Sequence, residues 1–216
     1  MSVRSSALAA ATGLVVGVGL TAVLVSGWHA DDEPDHGVAT VAFLEAWERS
    51  RSGTYLVRSD FHRSTARGGE LESSVEVVQR PPDRLVRQYG SVAGRLDGSV
   101  VSCGPDPAGE VSCGPRSAAP ETYEETTRRQ LADWRELLVE GSRPTYRVVA
   151  DGDDCFDLTL DRDVAEPPYG SAARFCFDGA TGALRYERIE REEGTDVTEA
   201  VEIRSQVDDA DFRLPS

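Results

Sequence analysis

The sequence predicts an α+β protein: a curved antiparallel sheet covered by about two helices and preceded by a single transmembrane helix. Three observations predict it. From Cys155 to Pro215, side chains alternate between apolar and polar in successive short runs bounded by turn residues, which is the period of a half-buried strand. Two other stretches, about 38–51 and 120–140, carry apolar residues three and four apart instead, the spacing of a helix face. Finally, Ser5 to Gly27 contains no charged residue, and its core, Ala7–Trp28, is long enough to cross a bilayer as a helix.

Arg4 and the α-amino group precede that apolar run, and Asp31, Asp32, Glu33 and Asp35 follow it. The positive-inside rule then puts residues 1–6 in the cytoplasm and everything after about residue 30 outside the cell membrane. The organisation read from this is a cytoplasmic N-terminus at 1–6, a transmembrane signal anchor at 7–28, an acidic linker at 29–37 and one extracytoplasmic domain at 38–216. Val25-Ser26-Gly27 also reads as a small-residue cleavage site, which would make the protein secreted. A lipoprotein anchor needs a cysteine just after the apolar run, and Ser26-Gly27-Trp28 offers none.

The folded domain is expected to open with a helix over about Val38–Arg51, where Val38, Ala42, Phe43, Ala46 and Trp47 form the apolar stripe and Gly53 ends it. Two strands follow. Tyr55, Val57 and Phe61 alternate with Arg58, Asp60 and His62; Leu71, Val75 and Val77 alternate with Glu70, Glu72 and Glu76; Ala66-Arg67-Gly68-Gly69 turns between them. Pro81-Pro82 reads as a corner, because proline cannot continue a central ladder. Arg84–Tyr89 and about Ala93–Cys103 are further short strands, with a turn at Asp97-Gly98. Pro120 suits the first position of the second helix, Glu121, Glu124 and Glu125 load its first turn, and Gly141 ends it. On it Tyr123, Thr127, Leu131, Trp134 and Leu138 share one face. Thr145–Val149, Cys155–Leu160, Ala172–Phe177, Ala183–Glu190 and Val197–Ser205 complete about nine strands.

Four cysteines allow three pairings. Cys103 and Cys113 bracket a Gly/Pro-rich loop. Cys155 and Cys176 fall opposite Phe156, Leu158, Phe175 and Phe177 on adjacent strands, with Asp157 and Arg174 beside them. Local pairing, Cys103–Cys113 and Cys155–Cys176, is therefore expected, with both sulfurs of the second bridge on one solvated surface and an oxidising compartment implied. A four-cysteine zinc site would show closer spacing.

The formal net charge is −15 and every one of the 23 basic residues is arginine, so nucleic acid is not an expected partner. No catalytic motif is present. His29 and His36 lie in the linker, and His62 has no serine or cysteine nucleophile at a recognisable spacing. Gly-x-Ser-x-Gly, His-Glu-x-x-His and a phosphate loop are all missing. The expectation is a protein without enzymatic activity, cofactor or metal. The acidic run Asp151, Asp153, Asp154, Asp157, Asp161 and Asp163 invites a calcium reading, but lacks the order of an EF-hand loop.

A membrane-targeting segment, a helix, amphipathic hairpins with the corner Arg80-Pro81-Pro82-Asp83-Arg84-Leu85, an inserted helix, then Phe177-Asp178-Gly179 to Gly182 and a closing Asp211-Phe212-Arg213-Leu214-Pro215: this order resembles the LolA/LppX-like lipoprotein carrier superfamily. The resemblance covers most of residues 38–215. It implies a half-open β-barrel whose apolar inner face holds acyl chains under a helical lid. Val57, Phe61, Val75, Val77, Phe156, Leu158, Phe175 and Leu184 would then line the cavity, and Trp134 and Leu138 would belong to the lid. The implied ligand is a lipid or a lipoprotein acyl chain. The alternative is an envelope sensor or protein-interaction domain of the same fold, with an envelope protein partner and no lipid cargo.

Overall fold

The structure, a computed structural model, describes residues 36–106, 108–139 and 143–215. The expected anchor at 7–28 and the helix stop at Gly141 lie outside the described residues. Among those described, no helix is long and apolar enough to cross a membrane. The last two residues of the expected linker, His36 and Gly37, already belong to the first helix.

The elements run α1 (His36–Ser52), β1 (Tyr55–Thr65), β2 (Glu70–Arg80), β3 (Asp83–Gln88), β4 (Ser91–Leu96), β5 (Ser99–Pro105), β6 (Val111–Cys113), β7 (Ser117–Ala118), α2 (Tyr123–Leu138), β8 (Tyr146–Ala150), β9 (Cys155–Leu160), β10 (Ala172–Phe177), β11 (Leu184–Arg191) and β12 (Gly194–Arg204), with a 3-10 turn at Asp209–Phe212. Twelve strands replace the expected nine. Two of the extra ones, β6 and β7, are only three and two residues long, too short to show a period. A third arises because Asp97 and Gly98 turn the chain inside the expected strand 93–103, splitting it between β4 and β5. Tyr89 and Gly90 make another tight turn, with Tyr89 at φ 52°; a tyrosine in this left-handed region gives no turn signal in the sequence.

All strands join one antiparallel sheet, ordered β6-β5-β4-β3-β2-β1-β12-β11-β10-β9-β8, with β7 beside β5. Two meanders thus meet in the middle, where β1 pairs with β12. The first meander ends at one edge and the second begins at the other, so the connection has to cross the sheet. The α2 segment makes that crossing. Register shifts between Arg58 and Ser59 on β1 and between Cys176 and Phe177 on β10 mark bulges, which bend a sheet and raise its local twist.

The start of α2 corrects the expected one. Its first residue is Tyr123 rather than Pro120, and Thr122 caps it: the Thr122 hydroxyl accepts from Glu125 N at 3.1 Å, and Thr122 N donates to the Glu125 carboxylate at 2.7 Å. Such a box satisfies two of the four orphan donors. Tyr123, Leu131, Trp134 and Leu138 are buried on one face, as their spacing predicts. On α1 the buried stripe is Ala39, Phe43, Ala46 and Ser50, while Val38, expected inside, is 66% exposed. Gly53 ends α1 for a different reason from the one expected. Its backbone is not left-handed, but a Cβ there would lie 2.2 Å from Thr181 O, so only glycine permits the approach.

Each face of the sheet has its own core. Under the helices lies a cluster of Phe43, Trp134, Tyr146, Phe156, Phe175, Phe177 and their aliphatic neighbours. On the opposite face, Leu56, Val78, Leu85, Val92 and Val101 are covered by the C-terminal segment through Phe212, Val207 and Leu214. Arg87 Nη2 donates to Asp211 O at 2.6 Å and Arg204 Nη2 to Asp211 Oδ1 at 3.0 Å, fastening that segment down.

Both disulfides form as the spacing predicts, Cys103–Cys113 across β5 and β6 and Cys155–Cys176 across β9 and β10. The face of the second bridge is not solvated, however. Cys155 and Cys176 are 6% and 5% exposed, and Arg185 Nη2 lies 3.3 Å from Cys155 Sγ. The guanidinium stem covers the bridge, a burial that strand alternation alone does not reveal.

Candidate functional site: the helix-facing side of the sheet

The ten expected ligand-binding residues separate into two groups. Trp134, Leu138, Phe156, Leu158 and Phe175 are buried in the cluster under the helices, and Leu184 is half-buried against it. This region is filled by rings. Phe43 meets Trp134 edge-on at 4.8 Å between centroids and Phe156 at 5.5 Å, Trp47 meets Trp134 at 5.2 Å, and Tyr169 stacks on Trp134 at 4.2 Å. Tyr169 came from a loop and carried no periodic signal. Its backbone N–H donates to the buried Tyr146 hydroxyl at 3.0 Å, which in turn donates to Gly170 O at 3.1 Å. Those two bonds fix the ring over Trp134.

The second group lies on β1 and β2. Val57 faces Val77, Ser59 faces Val75 and Phe61 faces Ser73 across the ladder, so all six project from one side. Val57 is buried beside Tyr55 and Ala183, and Val77 is half-buried against them. Farther along, Phe61 and Val75 are also only half-buried. Tyr89 is 52% exposed with its ring edge-on to Phe61 at 6.5 Å, and Leu71 is 45% exposed. The apolar side of the sheet therefore continues past the cluster that the helices cover.

Between the two groups sits a polar junction that sequence reasoning missed. The last carbonyls of α1 are closed by side chains from three elements. Gln79 Nε2, fully buried, donates to Ser50 O at 2.8 Å and Gly53 O at 2.9 Å; Tyr55 Oη donates to Ser50 O at 3.0 Å; Tyr123 Oη donates to Arg51 O at 2.6 Å. A glutamine between Val78 and Arg80 was the available signal. Around these hydroxyls gather Arg51, Arg84 and Arg95. The Arg51 guanidinium lies 5.9 Å from the Tyr123 ring centre, Arg84 faces the Tyr55 hydroxyl, and Arg84 and Arg95 are directly opposed on β3 and β4. The Nε of Arg51 and of Arg84 is buried without a hydrogen-bond partner. Burial, and then the Arg51 charge, pulls the Arg84 pKa below its ordinary value, while burial pushes Tyr55 and Tyr123 up. Beside Arg51 and Tyr123 opens a groove of about 490 Å³, floored in part by Leu131 and Pro81.

Four of the six aspartates in the run that invited a calcium reading are paired with arginines: Asp154 with Arg49 at 2.7 Å, Asp151 and Asp157 with Arg174, and Asp161 with Arg147 at 3.2 Å.

No family model matches the chain, and no curated protein matches it. Solved structures do. MucB is 14% identical with a TM-score of 0.48, over 82% of this chain and 63% of the MucB chain, so the chain spans less than two thirds of that relative. LprF from Mycobacterium bovis is 9% identical with a TM-score of 0.38, over 80% and 95% of the two chains. A LolA superfamily protein from Nitrosomonas europaea is 8% identical with a TM-score of 0.35, over 82% and 98%. The LolA superfamily is the one the sequence resembles. The observed architecture, one curved antiparallel sheet with a helix inserted between its two strand groups, is the layout which that resemblance implies. At these identities and scores the likenesses carry no argument, and function has to be argued from the chain's own residues.

Proposed function

We propose that this chain is a membrane-anchored extracytoplasmic protein that binds an apolar ligand, a lipid or a lipoprotein acyl chain, on the helix-facing side of its sheet. The observation that carries the reading is the apolar strip of Val77, Val75 and Phe61, half-buried and continued by Leu71 and Tyr89 beyond the ring cluster. A contiguous apolar strip left partly exposed in this way marks an interaction site. Each methylene buried on it contributes about 0.8 kcal/mol, so an acyl chain laid along β1 and β2 would bind through area rather than through specific polar contacts. Deeper entry would require the helices to lift from the rings that fill the space beneath them. The anchor at 7–28 would hold the domain next to the membrane from which such a ligand comes, and the two disulfides fit an oxidising compartment.

The test is native mass spectrometry of the full chain, taken from its own membrane into lipid nanodiscs without harsh detergent. A retained adduct in the lipid range supports the reading. A bare mass, together with no uptake of a fluorescent acyl probe, refutes it.

The alternative, recognition of an envelope protein, is favoured by one observation. The sheet is open, ending in β6 on one side and β8 on the other, and a free edge is a template for strand addition. Crosslinking in cells separates the two readings by whether lipid or protein is recovered.

A further inference from the structure

We propose that the junction of α1, α2 and β3 is a binding site for a phosphate-class anion, with Arg51 on the groove and Arg84 and Arg95 as the neighbouring cations. The inference stands on the arginine cluster and is independent of the apolar-ligand reading.

The argument begins with a contrast. Acidic residues outnumber arginines 38 to 23 in this chain, and on the rest of the sheet most arginines are matched, Arg185 beside Cys155 being an exception. Arg58 is paired with Glu76 and Glu202, Arg63 and Arg191 with Asp196, Arg87 with Glu76, and Arg174 with Asp151 and Asp157. Arg51, Arg84 and Arg95 are not. Among the described residues none of the three has a carboxylate within ion-pairing distance, although their side chains are partly buried and two of their Nε atoms are enclosed without a partner.

Like charges directly opposed on neighbouring strands are destabilising, and so are charges removed from water without a counter-ion. The end of α1 accounts for only part of this arrangement. A helix C-terminus carries about half a negative charge, and its carbonyls are already taken by Gln79, Tyr55 and Tyr123. Three guanidinium groups therefore surround two tyrosine hydroxyls with most of their charge uncompensated.

Of this cluster, Arg51 and Tyr123 line the groove, while Arg84 and Arg95 lie outside its lining, so an anion entering there meets Arg51 first. Its remaining charged lining is Arg128 and Arg135 against Glu48 and Glu124, all four exposed. Guanidinium groups donate to phosphate oxygens in a fixed fork, and a tetrahedral anion held by Arg51 would supply the negative charge that this cluster lacks. The anion has two possible sources, free phosphate or the headgroup of a phosphate-bearing amphiphile.

The test is calorimetric titration of the full chain with inorganic phosphate, dodecyl phosphate and the uncharged dodecyl maltoside, each at fixed ionic strength set with chloride. Arg84→Gln removes the most enclosed guanidinium, and its affinity for the phosphate ligand is expected to fall about tenfold or more. Glu48→Gln, at an exposed position that cannot cost the fold, is expected to tighten phosphate binding severalfold and tests the site even should Arg84→Gln fail to fold.

Binding of inorganic phosphate assigns a free-anion site. Binding of dodecyl phosphate alone, lost in Arg84→Gln or tightened in Glu48→Gln, assigns a headgroup site. Equal binding of dodecyl phosphate and dodecyl maltoside, unchanged in both variants, overturns the anion site and leaves the apolar-ligand reading standing. Phosphate binding with no uptake of either amphiphile does the reverse. No binding of any probe overturns both.

Discussion

Replacing Phe43 by alanine tests whether the space under the helices is a solid core or a vacant one. Phe43 is fully buried and touches Trp47, Trp134, Phe156, Phe175 and Phe177 at centroid distances of 4.8 to 6.3 Å. Its removal strips one ring from a cluster in which every neighbour is itself held by other rings, so the site has little freedom to collapse. A buried Phe→Ala change of this kind costs about 3–5 kcal/mol. The assay is urea unfolding of the full chain followed by tryptophan fluorescence, since Trp47 and Trp134 both report from the cluster. The midpoint should drop with little change in slope. The variant should also acquire an apolar cavity that takes up a benzene-sized probe, as dry engineered cavities do. A loss below about 1 kcal/mol would refute the packed cluster, and would mean that the helices already ride over a space able to close or fill.

Three further outcomes follow from other parts of the molecule. Thr122→Ala should destabilise by about 1 kcal/mol in thermal unfolding, whereas Pro120→Ala should be nearly silent; the opposite ranking would return the helix start to Pro120. Removing Cys155–Cys176 by a double Cys→Ala change should cost about 3 kcal/mol on loop-closure grounds, slightly more than removing Cys103–Cys113, because the chain separations are 21 and 10 residues; denaturation midpoints that rank the other way would contradict this. The Asp196 carboxyl is held below the usual carboxylate range, first by its hydrogen bond from Arg63. Because this carboxyl is more acidic folded than unfolded, its contribution is complete above the pH where a free aspartate titrates and fades as pH falls through its own lower value. Asp196→Asn should therefore lower the thermal midpoint at pH 7 and flatten the loss of stability on acidification, and an unchanged acid limb would count against the Arg63 bond.

The parts of the fold that were legible in the sequence are those written in short-range periodicity. Alternation put Cys155 and Cys176 on one face with Asp157 and Arg174 beside them, and the ladder pairs the two cysteines with each other; the spacing from Tyr123 to Leu138 named the buried face of α2. What was not legible depends on partners distant in the chain. Nothing near Tyr55 announces that β1 pairs with β12, more than a hundred residues later. Val38 fits the apolar stripe of α1, yet it is 66% exposed. Phe61 and Phe175 look alike in an alternating run, but one is half-exposed and the other fully enclosed, because only helix placement separates them. The arginine cluster was invisible for the same reason. Arg51 and Arg84 become neighbours only when the end of α1 meets the start of β3.

The pairing of β1 with β12 has a consequence for how the chain is made. A polypeptide emerging vectorially from the ribosome exposes β1 early, with one side of that strand satisfied by β2 and the other bare until residue 204 has passed. The bare side is not at the rim of the finished sheet but at its centre, so an unfinished chain presents its future midline as an adhesive strand edge. Loss of residues 194–215 would remove β12 from between β1 and β11 and leave two half-sheets, each with an unsatisfied ladder. For this protein the last strand is the keystone, and intactness of the C-terminal segment decides whether the two halves hold together.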